Sequence, residues 1–82
     1  MSLSPAQSRA ARGLLDWSQS KLGEMSNLSE STIRDFEKGR RTPGPNNLAA
    51  IRSALESAGV IFVAENGEGP GVRLRKDVQA AK

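Results

Sequence analysis

Glu30, Ser31, Arg34, Asp35 and Lys38 share the side of a helical turn opposite Ile33 and Phe36, and two further cations, Arg40 and Arg41, follow at once. Spacings of three and four residues make that row one outward face. Its groups suit recognition by hydrogen bonding. A guanidinium such as Arg34 can pair with a guanine edge, a carboxylate such as Glu30 or Asp35 can accept from a cytosine amino group, and hydroxyls suit either role. Lys38, Arg40 and Arg41 place three cations within four positions, a pattern suited to a phosphate strand. Contacts of that kind set affinity and salt sensitivity rather than sequence choice. Plainer readings stand beside these. Glu30 and Arg34 are four apart with the acid first, the favourable order for a helix-surface ion pair of about 0.2–0.5 kcal/mol, and the basic run could be a solvated loop.

Other chemistry finds little support. The 82 residues contain neither cysteine nor histidine, which removes disulfides, the usual zinc ligands and the commonest general base. Serines and carboxylates are present, but without a base partner, a phosphate-cradling glycine loop or a metal-spaced cluster. No enzyme activity, metal or cofactor is expected. Twelve basic against nine acidic side chains give a formal charge of +3, compatible with a polyanionic partner. No apolar run is long enough to span a membrane, and MSLSPAQSRAARG lacks the apolar core of a signal peptide, so the cytoplasm is the expected compartment.

The elements that must position the polar row are short helices. Ser18 to about Ser26 reads as one, with Leu22 and Met25 spaced for a buried face; a second starts at Ser29 and turns Ile33 and Phe36 inward. Asn27 and Leu28 form the break, because Asn tolerates the left-handed backbone of a tight reversal, and Ser29 can cap the helix that follows. Gly39 ends it. Upstream, Ser4 and Pro5 mark the start of a helix reaching about Asp16, with Ala11, Leu14 and Leu15 on one side and Gln7, Arg9 and Arg12 elsewhere. Gly13 is expected to allow close helix packing, and Trp17 to plug the joint with the next helix. After the loop RRTPGP, a fourth helix from about Asn46 carries Leu48, Ile51 and Leu55 at i, i+3 and i+7 and ends at Gly59.

The character then changes. VIFV at 60–63, a turn-rich ENGEGPG with its Asn66–Gly67 pair, and the alternating VRLR predict a terminal β-hairpin, with a frayed tail over 77–82. An isolated hairpin is marginal in water, so it must lean on the helices or pair with another strand, for which a twofold-related copy is the obvious supplier.

With these residues in view the chain resembles the phage repressor and Cro-like helix-turn-helix family of bacterial regulators, the Xre family, over about Pro5 to Gly59. The family pattern Q-x-x-L-A-x-x-x-G-V-S-x-x-x-I-x-x-x-E-x-G is met by Gln19, Leu22, Gly23, Asn27, Leu28, Ser29, Ile33, Glu37 and Gly39. Gly23 and Asn27 depart from the usual alanine and glycine, yet keep a small contact and a permissive turn. The resemblance implies base contacts at Glu30, Ser31, Thr32 and Asp35, with Arg34 in reach of a base or phosphate. It implies that Gln19 clamps the DNA backbone, aided by helix-terminal amides, and that the loop carrying Lys38, Arg40 and Arg41 follows a phosphate strand. It also implies a partly buried ion pair between Arg12 and Glu37. The family usually has a fifth helix; here the hairpin takes its place.

The expected architecture is therefore mainly α: a four-helix repressor-like bundle over 1–59, a hairpin over 60–76 packed on the bundle or at a dimer interface, and a tail. The expected function is a homodimeric regulator, a repressor, reading an operator in double-stranded DNA. Two alternatives are an antitoxin-like protein whose hairpin binds a partner protein, and an adaptor whose acidic residues turn the fold away from DNA.

Overall fold

A computed structural model describes residues 3–64 and 67–76. Four helices, α1 (Pro5–Leu15), α2 (Gln19–Ser26), α3 (Glu30–Glu37) and α4 (Pro45–Ser57), precede two strands, β1 (Val60–Val63) and β2 (Gly71–Leu74). The Asn66–Gly67 turn falls partly outside the described residues, and the 77–82 tail wholly so.

Each of the first three helices starts on a serine. Ser4, Ser18 and Ser29 accept hydrogen bonds from the main-chain N–H of Gln7, Lys21 and Thr32, and the Gln7 side chain accepts from the Ser4 N–H, closing a capping box. The helices also end locally. Asp16, Asn27 and Gly39 take left-handed backbone, with φ of 60°, 61° and 76°. The N–H of the residue after each then reaches back to the last turn: Trp17 to Arg12, Leu28 to Gly23, Arg40 to Asp35. Thus the α2–α3 turn is fixed by Asn27 and Ser29 with no distant contact required. Gly23 lets the two helices close on it, since a Cβ there would lie 2.8 Å from the Leu28 carbonyl oxygen. Even an alanine there would force the turn to shift.

The core gathers Ala11, Leu22, Ile33, Phe36, Ile51, Ala54 and Leu55 from all four helices, together with Leu3 from the amino-terminal segment. Leu14, Leu15, Trp17, Leu28 and Leu48 pack half-buried around it. The hairpin is antiparallel, with Val60 opposite Leu74 and Phe62 opposite Val72. Period-two alternation puts Val60, Phe62 and Leu74 in the core and leaves Ile61 exposed. The helices provide the cover: both strands lie on α1, and β1 also on α4. The Gln7 amide donates to the Gly71 carbonyl, and the Arg52 guanidinium stacks 4.6 Å from the centroid of the Phe62 ring.

Three expectations need correcting. Met25 does not join Leu22 in the core; it is half exposed, because the buried face of α2 runs through Leu22, Gly23 and Ser26 and leaves Met25 to one side. Gln7 is buried like Ala11 rather than set elsewhere, drawn in by its bonds to Ser4 and Gly71. Gly13 allows no close packing, for a Cβ there would meet nothing within 4 Å. This last point makes Gly13→Ala a test of α1. The substitution should stabilise the protein by about 0.5–1 kcal/mol through helix propensity and raise the thermal midpoint by about 5 °C; an unchanged or lower midpoint would mean that the glycine serves the fold after all.

Candidate nucleic-acid interface

The outward face of α3 is built from the residues up. Ile33 and Phe36, buried against the other helices, anchor one side. The opposite row then has no choice of direction. Glu30, Ser31 and Lys38 are exposed; Thr32, Arg34 and Asp35 are half-buried; Arg40 and Arg41 are exposed in the loop beyond Gly39. At the start of the helix three hydroxyls interlock, with Ser29 Oγ 3.1 Å from Ser31 Oγ and 2.8 Å from Thr32 Oγ1. The ion pair open to Glu30 and Arg34 does not form. Among the described residues the side chains of Glu30, Arg34, Asp35, Lys38, Arg40 and Arg41 make no hydrogen bond or ion pair, which leaves their donors and acceptors unused.

Behind this face lies a buried polar cluster centred on Glu37, the last residue of α3. Arg12 meets its carboxylate in a two-pronged pair, Nη2 to Oε1 at 2.7 Å and Nε to Oε2 at 2.9 Å. Ser8 Oγ donates to Oε2 at 2.6 Å, and Gln19 Nε2 donates to Oε1 at 3.1 Å. Arg12 also donates Nη1 to the Trp17 carbonyl, and Arg9 donates to the main-chain carbonyl of Glu37 itself. Four residues from α1 and α2 thus converge on the carboxyl end of α3. Burial pushes the Glu37 carboxyl up, but the hydrogen bonds from Arg12, Ser8 and Gln19, joined by the Arg12 charge, outweigh it and hold the pKa below the ordinary carboxylate value. In turn the bond to Glu37 holds the Arg12 guanidinium above its own ordinary value, against burial. Such a two-pronged, charge-assisted pair fixes orientation as well as distance.

Two members of this cluster escape a reading of the sequence. Ser8 lies four residues before Arg12 and so on the same helical face, a signal available from spacing but not from residue type, because serine is usually exposed. Arg9 reaches the end of α3 only through the folded arrangement of α1. Gln19, expected at a phosphate, has one amide N–H engaged by Glu37.

A helix-turn-helix family model matches residues 9–58, well over half the chain and including the whole of α2, the turn and α3. The chain belongs to the phage repressor and Cro-like helix-turn-helix family. The fold of this helix-turn-helix protein is similar to the DNA-binding domain of the P22 C2 repressor, determined by nuclear magnetic resonance. The two are 30% identical, with a TM-score of 0.61, over 68% of this chain and 75% of the other. No curated protein sequence is significantly similar. Family membership makes this helix-turn-helix protein a DNA-binding transcription regulator in class. Its hairpin, at Val60–Leu74, follows the matched residues.

Proposed function

We propose that the protein is a homodimeric repressor that binds a specific operator in double-stranded DNA, each subunit laying α3 in the major groove of one half-site. The reading is carried by the unused side chains of Glu30, Arg34 and Asp35 on the face of a helix fixed from behind by the Glu37 cluster. A rigid element with free polar groups suits direct readout, because the groups need not first be released from intramolecular partners. Arg34 pairs with guanine. Glu30 and Asp35 accept from cytosine and penalise wrong bases, while Ser31 and Thr32 complete the contact. Gln19, Lys38, Arg40 and Arg41 take the phosphates and supply most of the affinity. The similarity to a repressor's DNA-binding domain supports the regulatory role.

Selection of binding sites from a random duplex pool tests all of this together. The expected outcome is an enriched, nearly palindromic motif whose half-site centres are about 34 Å apart, one duplex turn. An asymmetric single half-site would count against the dimer, and no enrichment combined with salt-insensitive binding would end the regulator reading. With the motif known, Arg34→Ala should relax preference at one position and cost about 1–3 kcal/mol there, whereas Arg41→Ala should weaken all sequences alike. Indistinguishable behaviour of the two variants would remove the division between readers and phosphate contacts.

A further inference from the structure

Gln19 stands between two partners. Its side chain crosses from the first turn of α2 to Glu37 and uses one of its two amide N–H groups there. The second N–H, fixed in the same amide plane, diverges from the first and remains available on a half-buried side chain. Beside it, the main-chain N–H groups of Gln19 and Ser20 have no hydrogen-bond partner among the described residues, as expected for the first two positions of a helix. Glu37 is in turn immobilised by Arg12 and Ser8, so it cannot follow Gln19 outward.

We propose that Glu37 is a positioning residue for the DNA-backbone contact: by holding one amide N–H of Gln19, it aims the other at the phosphate before DNA arrives. The inference rests on the DNA-binding reading above and deepens it. A free glutamine side chain would have to be ordered on binding; held in advance, it is spared that cost, a saving of about threefold to tenfold in affinity. Glu37 itself touches no DNA and acts only through Gln19. This separates it from a glutamate that merely closes an ion pair between α1 and α3.

A mutant cycle separates the two roles. Replacing the buried pair by apolar side chains, as in Arg12→Met with Glu37→Leu, keeps a packed core and no uncompensated charge, but removes the acceptor for Gln19. Binding to a short random-sequence duplex at low salt is measured with and without Gln19→Ala in each background. In the parent, Gln19→Ala should weaken binding about tenfold; in the Arg12→Met/Glu37→Leu background it should weaken binding less than about threefold. Equal losses in both backgrounds would overturn the positioning role. No loss in the parent, with binding still salt-sensitive, would overturn it too while the DNA-binding reading stands. A parent that shows no salt-dependent duplex binding would remove both. A second measurement needs no variant: in the free protein, one side-chain amide proton of Gln19 should exchange more slowly with solvent than its geminal neighbour. Equal, fast exchange of the two would show that Glu37 does not hold the side chain.

Discussion

Replacing Glu37 by alanine is expected to destabilise the protein by about 3–5 kcal/mol, enough to leave a domain of this size barely folded at ambient temperature. The Glu37 side chain is 1% exposed and that of Arg12 18%, so removing the carboxylate strands a guanidinium in a place where water restores little of its solvation. Ser8, fully buried, loses the acceptor that its hydroxyl has among the described residues, and Gln19 loses its partner across the α1–α2–α3 junction. Urea or thermal unfolding followed by circular dichroism measures the loss. The Arg12→Met/Glu37→Leu variant should recover the part due to the orphaned charge, the larger cost, while the Ser8 hydroxyl still lacks its acceptor. A loss under about 1 kcal/mol for Glu37→Ala would show that water fills the site and the cluster contributes little.

The same group predicts how the protein meets acid. The folded-state pKa of Glu37 lies below its unfolded value of about 4.3, so protons bind the unfolded chain more readily. The stability contributed by the cluster is therefore fully present above that pH and is lost as pH falls through the lower, folded value. The thermal midpoint should hold between about pH 7 and 5 and fall below about pH 4. In Glu37→Gln the midpoint starts lower and the acid-induced drop is smaller; an identical drop in the two proteins would assign acid sensitivity to other carboxylates.

The second large effect concerns DNA. Exchanging Lys38, Arg40 and Arg41 together for glutamine should leave stability within about 1 kcal/mol, for all three are exposed and make no intramolecular pair. Binding should respond very differently. Each neutralised phosphate contributes a slope of about −0.9 in log affinity against log salt, so three cations contribute about −2.7 for each bound subunit. Between 50 and 200 mM salt the parent should thus lose roughly fortyfold per subunit through these contacts alone. Counted down from 1 M, their removal costs on the order of 10³-fold at 50 mM. Fluorescence anisotropy on a labelled duplex over a salt series measures both slope and intercept. An unchanged slope in the triple variant would show that the loop after α3 does not follow the phosphate strand, and would move the electrostatic footprint elsewhere on the molecule.

Much of the motif is legible in the chain because the forces that shape it are local. Asn27 can occupy left-handed backbone, Ser29 can cap three residues onward, and Gly39 can reverse the chain; each acts within a single turn of helix. The inward face of α3 is equally plain, since Ile33 and Phe36 three residues apart leave Glu30, Ser31, Arg34, Asp35 and Lys38 no other side. The hairpin too follows from the β-branched and aromatic run VIFV, the turn-rich stretch after it and the alternation in VRLR.

Where a side chain has two outlets, the choice passes to the fold. Helical spacing allows Glu30 to pair with Arg34, and only the arrangement of the folded side chains leaves both unpaired. The amphipathic pattern offers Met25 as a core residue, but the packed face of α2 runs through Leu22, Gly23 and Ser26 instead. Gln7 and Ser8, polar residues in the first helix, become buried because Gly71 and Glu37 supply acceptors from distant parts of the chain. The sequence alone therefore determined the helices, their caps and the identity of the outward face, since all of these depend on neighbours within about four residues. Tertiary structure decided which polar groups are spent on the protein and which remain for a ligand, because a hydrogen bond between residues 18 to 64 positions apart exists only once the helices have been brought together.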